Sequence, residues 1–338
     1  VRRASIASSG ARAGAVLVVV CGVLDLASPA TADPARPAAP ASIQIAALAP
    51  ADDARRAVII GTGGEVFEPD GKGAWVHKLQ SSTAGPLVAA GRTGARGSGS
   101  GSGSGSGPGA GSIVALGDGV VYRLASNGWS AIRLVQHGKA ILGVGARSLA
   151  AVGRQLFALD QLTRGEPTRL AVAPASIVAI AAGATAIVIA TEAGLFRLEP
   201  TGGKLVALKA APPHPRIVSD RWAITDRGAV DLISTRLTGW PRGLAIGVAA
   251  AAPDEALVAI GAGRGGLELV TLRDGKLARD PLGVSGTAVG VAVDRAGRAV
   301  VALSDGRIAL RAPAGWTTTE VTDEAPAAHP GAAAATSE

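Results

Sequence analysis

The residues best able to do chemistry are few, and their spacing does not assemble a site. "GAGRGG", Gly261 to Gly266, has the G-x-G-x-x-G spacing of a dinucleotide-binding loop. That loop requires a helix after it, because the helix N-terminus holds the pyrophosphate. Here "GLELVTL" follows, a strand-like pattern, so the glycines are read as a hairpin turn. No G-x-x-x-x-G-K-[ST] phosphate loop, G-x-S-x-G elbow, S-x-x-K pair or H-E-x-x-H metal helix occurs. The four histidines, His77, His137, His214 and His329, have no second histidine at metal-motif spacing. The single cysteine, Cys21, excludes an intrachain disulfide and a cysteine-based zinc site. No catalytic, cofactor-binding or metal-ligating residue is assigned, no cofactor is expected, and the ligand-binding residues stay open.

The elements that would have to position any site are repeats. A glycine opens an alternating strand in "GEVFEPDGKGAW" (Gly64), "GVVYRLASNGW" (Gly119), "GRQLFALD" (Gly153) and "GLFRLEPTGGKL" (Gly194). The pattern continues in "GAVDLISTRLTGW" (Gly228), "GLELVTLRDGKL" (Gly266) and "GRIALRAPAGW" (Gly306). The steps between these glycines are 55, 34, 41, 34, 38 and 40 residues, and the long first step contains the Gly/Ser-rich stretch 93–111. Each repeat divides into four short runs. In the last copy these are "TAVGVAVD", "RAVVALSD", "RIALRAP" and "WTTTEV", with Gly- and Asp-containing turns between them. Alternation at period two with such punctuation predicts antiparallel strands, and Asp118-Gly119 and Asp305-Gly306 suit two-residue hairpins.

Trp75, Trp129, Trp240 and Trp316 follow their glycines by 11, 10, 12 and 10 residues. That shared register, at the expected start of each fourth strand, predicts a packing role between neighbouring sheets. Trp222 falls on an expected second strand and is also read as core. A repeat near 37 residues made only of strands is the signature of a β-propeller blade. The expected fold is therefore all-β: one propeller over residues 42–321, with seven four-stranded blades, six or eight staying open. The Gly/Ser stretch is read as an insertion between the first two strands of blade two, at little entropic cost.

Segments such as "GRQLFALDQLTRGEPTRL" and "AGLFRLEPTGGKLVAL" resemble repeats of the quinoprotein-like and regulator-type propellers. The resemblance is loose and implies the fold only, since no quinone-binding constellation maps onto these residues. Propeller sialidases are similar in repeat length and carry S-x-D-x-G-x-x-W boxes between the third and fourth strands. Asp70 and Trp75 have that spacing, but Glu68 and Lys72 replace the Ser and Gly. Those enzymes use a tyrosine nucleophile, and the one tyrosine, Tyr122, lies mid-strand in "VVYRL" as an expected packing residue.

Composition bounds the rest. Apolar residues make up 48% and aromatics 3%, so the core must be built from Ala, Val and other small aliphatics. The net charge of +7 comes without a run of five basic residues or interleaved aromatics, which argues against nucleic acid as partner. Arg2, Arg3 and Arg12, the apolar "AGAVLVVVCGVL" and the small Ala30 and Ala32 form a secretory pattern with cleavage after Ala32. Lipidation at Cys21 is disfavoured by Val20 before it, and no membrane span would remain after cleavage. Residues 1–32 are thus expected to be a signal peptide, 33–41 a Pro/Ala linker and 322–338 an unstructured tail. The expected role is an exported, periplasmic or extracellular, non-enzymatic scaffold that binds a protein or peptide partner. Alternatives are a funnel enzyme, hydrolase-like or quinone-dependent, and a ligand-sensing module.

Overall fold

The computed structural model describes residues 43–321 except 50–56, 71–73, 80–82, 84, 93–112, 119, 126–127, 135–138, 164–165, 184–185, 200–202, 209–211, 213, 220, 252–255 and 295. The expected signal peptide, linker, tail and Gly/Ser insertion, with Cys21, His137 and His329, lie outside the described residues.

Seven four-stranded antiparallel sheets form the ring. Blade one comprises β1 (Ile45–Ala49), β2 (Val58–Gly61), β3 (Val66–Pro69) and β4 (Trp75–Leu79). Blade two has β5 (Ala89–Arg92), β6 (Ile113–Leu116), β7 (Val120–Ala125) and β8 (Gly128–Arg133). Blade three has β9 (Ala140–Val144), β10 (Ser148–Val152), β11 (Gln155–Thr163) and β12 (Glu166–Val172). Blade four has β13 (Ile177–Ala182), β14 (Ile187–Thr191), β15 (Gly194–Leu198) and β16 (Leu205–Ala207). Blade five has β17 (Ile217–Val218), β18 (Trp222–Ile224), β19 (Gly228–Asp231) and β20 (Leu237–Gly239). Blade six has β21 (Ala245–Ala251), β22 (Leu257–Gly263), β23 (Gly266–Arg273) and β24 (Lys276–Pro281). Blade seven has β25 (Ala288–Val293), β26 (Ala299–Leu303), β27 (Arg307–Ala312) and β28 (Gly315–Glu320).

Strand order follows chain order in every blade, so all seven anchor glycines fall at the hairpin joining second to third strand. The first strands of neighbouring blades touch one another around the centre. Small residues allow that approach. A Cβ on Gly91, Gly143 or Gly290 would lie 2.8, 2.6 or 2.5 Å from the Cβ of Val144, Ile180 or Leu48 on the next blade. Core clusters bridge blades accordingly: one joins Leu48, Ile59 and Phe67 of blade one to Ala292, Val300 and Ile308 of blade seven. Blades one and seven each keep all four of their own strands, so the ring closes by this packing. One backbone bond, Ile45 N–H to the Ser304 carbonyl at 3.2 Å, adds to it.

The tryptophans join these seams. Trp75 is buried in the cluster between blades one and seven. Trp129 packs at the seam of blades one and two, and its indole N–H donates across it to the Gly64 carbonyl at 2.8 Å. Trp316 packs against the cluster of blades six and seven. Trp240 departs from the expected register: it follows the end of β20 instead of starting the strand. The reason is a wider turn before β20, occupied by Leu232 to Arg236. Its indole N–H still donates to its own blade, to the Thr225 carbonyl at 2.9 Å. Trp222 is buried on β18 as expected.

Candidate functional site

The centre of the ring is the natural place for a propeller to hold a ligand. Its innermost strands, β1, β5, β9, β13, β17, β21 and β25, carry Ala, Val, Ile, Leu and Gly, with Arg92 the one charged residue among them. No acid and no histidine lies on any of these seven strands. A cavity of about 10 Å³ between blades five and six, lined by Ile217, Ser219, Ala249 and Leu257 among others, has room for about one water. Among the described residues no group of three His, Cys, Asp or Glu side chains could hold a metal ion.

The motifs singled out in the sequence stay apart. Gly261 and Gly263 lie at the end of β22 and Gly266 starts β23, so "GAGRGG" is the hairpin between them, with no helix following. Asp70 closes the turn between β3 and β4. Its N–H donates to the Ala74 carbonyl at 2.9 Å, and its Oδ1 accepts from the Ala74 N–H at 3.1 Å. Trp75 then enters the core, so the pair serves the turn. Tyr122 is buried on β7 in the cluster of blades one and two. His77 stacks on Phe67, ring centroids 4.8 Å apart, on the outer strand of blade one. His214 is exposed in the connection from blade four to blade five, with φ of 52°.

Charge, which looked scattered in sequence, is organised by the ring. Arg147, Arg221 and Arg298 each stand directly before the second strand of their blade. Arg147 pairs with Asp160 at 3.3 Å, and Arg298 with Asp294 at 2.6 Å. Arg221 donates to Asp231 Oδ2 from Nε at 3.2 Å and from the terminal nitrogen at 3.0 Å, with its guanidinium 5.2 Å from the centroid of a Trp222 ring. Burial acts to raise the Asp231 carboxyl. The hydrogen bonds and charge of Arg221, with the N–H groups of Ile233 and Ser234, outweigh it and hold the group below the usual carboxylate range. These pairs tie the loop before each second strand to nearby acids, and a pairing of Arg with a blade-local acid leaves little charge to offer a partner. Sequence reading missed them because the signal, one Arg at one register in several blades, shows only once strand starts are aligned.

The opposite end of the ring carries the second-to-third hairpins and the blade-to-blade connections. Here two sectors differ. Around blades one and two the hairpins carry Glu65 and Asp118. Around blades five and six they carry Arg227 and Arg264, with Arg242 in the connection between the two blades. All three are exposed, and among the described residues no carboxylate pairs with them. The nearby acids are engaged: Asp226 by Arg216 at 3.0 Å and Glu268 by Arg279, through both oxygens at 2.6 Å. The Arg279 hydrogen bond is the main reason the Glu268 carboxyl sits below its ordinary range. The backbone fixes this sector, because the Trp240 N–H donates to the Arg227 carbonyl at 3.1 Å and the Leu244 N–H to the Pro241 carbonyl at 3.2 Å.

The architecture can now be set against known proteins. No protein-family model matches the chain, and no curated protein does. Among solved structures it is similar to a streptogramin B lyase, with a TM-score of 0.53 at 11% identity over 78% of this chain and 92% of that one. It is also similar to the WD40 β-propeller domain of Doa1, with a TM-score of 0.51 at 12% identity over 87% of this chain and 95% of that one. The fold is that of the β-propellers. At these identities the likeness is one of architecture, and the two neighbours differ in role although they share it. For this propeller, chemical character therefore has to be read from its own hairpins and inner strands.

Proposed function

We propose that the protein is an exported β-propeller that acts as a binding scaffold for a protein or peptide partner, using the end of the ring that carries the hairpins and blade connections. The observation that carries this reading is the division of polar groups. The innermost strands are aliphatic but for Arg92, while unpaired charge collects on the hairpins of blades five and six. A rigid ring that holds loops at fixed spacing presents a broad surface, and loops on a rigid scaffold are where recognition residues concentrate. The secretory pattern of residues 1–32 supports export to the periplasm or beyond.

Two measurements test the proposal. Expression of the full chain in a bacterium, fractionation and N-terminal mass analysis should give a periplasmic or secreted product that starts at Asp33. An unprocessed product confined to the cytoplasm would contradict export. Affinity capture from envelope extract at several salt concentrations should recover a discrete partner, and recovery of nothing above background would contradict the scaffold.

A further inference from the structure

We infer that the hairpin face of blades five and six binds a carboxylate-rich segment of a polypeptide partner, through Arg227, Arg242 and Arg264. The inference rests on the scaffold reading and adds the chemistry of the partner.

Three observations carry it. The first is contrast within one face. Arg307, on the corresponding hairpin of blade seven, is held by Asp305 and by the Ser285 carbonyl. Arg154, on that of blade three, donates from Nε to the Ala173 carbonyl at 2.7 Å. Arg227, Arg242 and Arg264 occupy the same kind of position, yet among the described residues their guanidinium groups have neither acid nor carbonyl partners. The second is that the acids which could neutralise them are held elsewhere, Asp226 by Arg216 and Glu268 by Arg279. The remaining charges on adjoining hairpins and connections are Glu192 on blade four and the Asp305–Arg307 pair on blade seven. The third is backbone geometry. Arg242 stands in a turn closed by Gly243 at φ of 81°, and Arg264 precedes Gly266 at φ of 110°, so tight turns lift both side chains from the ring.

An exposed guanidinium is a planar donor fork that matches a carboxylate in two parallel hydrogen bonds. Three of them across neighbouring turns suit an extended acidic segment. Nucleic acid fits less well, because single strands need aromatic stacking platforms. The nearest indole, Trp240, is packed against the core of blades four to six, and its N–H is occupied by the Thr225 carbonyl.

The test uses the full-length chain and a fluorescent ten-residue glutamate-rich peptide. Its arms are an isosteric glutamine peptide, a DNA duplex and inorganic phosphate. The variant is Arg227→Gln, Arg242→Gln and Arg264→Gln together. The control triple, Arg169→Gln, Lys204→Gln and Lys276→Gln, removes the same charge from other exposed positions. Each rim charge contributes modestly, so the arginine triple should weaken binding of the glutamate peptide about tenfold and the control less than about twofold. The glutamine peptide should not bind. Four results would overturn the inference: no binding of the glutamate peptide, equal loss in both triples, competition by phosphate at equal charge, or tighter binding of the duplex that is lost in the arginine triple. Capture of an envelope partner that is unchanged by the arginine triple would sink this face and leave the scaffold standing. Capture of nothing by the unaltered chain would sink the scaffold.

Discussion

Blade seven has strands of 6, 5, 6 and 6 residues, whereas those of blade five have 2, 3, 4 and 3. Blade seven holds itself by ladder bonds and aliphatic packing, with Val301, Leu303 and Ala309 fully buried. Blade five has too little strand for that and relies on side chains: the buried indole of Trp222, the Trp240 bond to Thr225, the Arg221–Asp231 pair, and the Ser219 hydroxyl accepting from the Trp222 N–H at 2.9 Å. It also contains or adjoins two of the three non-glycine residues at positive φ, His214 at 52° and Thr235 at 60°. Strain of this kind persists where surrounding contacts over-determine the backbone, and it collects at functional sites. The difference teaches that the repeat sets the ring and that departures from it mark where the surface is specialised.

If blade five depends on side chains, removing them should cost more than equivalent changes in blade seven. Trp222→Ala should lower stability by about 4 kcal/mol, and amide exchange should show blade five opening before the rest. A uniform loss across the ring would mean that blade five is no weaker than its neighbours. Next comes the ion pair. The folded Asp231 carboxyl lies below its unfolded value, so its contribution is present above the unfolded pKa and is lost as pH falls through the folded one. Asp231→Asn should cost about 2 kcal/mol at pH 7 and flatten that loss of stability below about pH 4. Asp305→Asn in blade seven, where both partners are partly exposed, should cost about 0.5 kcal/mol. Chemical denaturation across pH separates the two.

The turns give a smaller contrast with a change of sign. The third hairpin of blade seven uses Gly315 at φ of 125°, where that of blade five places Thr235 at 60°. Left-handed backbone costs a β-branched residue about 1 kcal/mol, so Thr235→Gly should raise stability by about that much unless the strain is needed elsewhere. The smallest effect concerns indole N–H groups. Trp240→Phe removes a bond and should cost about 1 kcal/mol, whereas the Trp316 N–H is buried without a partner and Trp316→Phe should be close to neutral. Thermal unfolding of the two variants side by side decides this.

The ring was legible because its signals repeat. Seven glycines, four tryptophans and alternating runs all report the same period, and each is imposed by a hairpin or a seam that every blade must make. The Gly266 copy, loosely spaced in sequence, folds into strands of 7, 7, 8 and 6 residues, because its hairpins need only Gly265 and Gly275 at the turns. Blade five, also loosely spaced, is the one whose strands are short, so the same irregular spacing had two outcomes that only packing distinguishes. The basic sector could not be read in advance. Arg227, Arg242 and Arg264 are far apart in the chain, and each alone looks like a solvated surface residue. Their meaning comes from the partners that Asp226 and Glu268 already hold, which is a property of the fold.

The most direct test of the account is amide hydrogen exchange across the full-length chain with and without saturating glutamate-rich peptide. Protection is predicted over the hairpins and connections near residues 226–228, 240–244 and 263–266, with blades one and two unchanged. Protection on the hairpins of blades one and two instead, or on the loops at the other end of the ring, would contradict it.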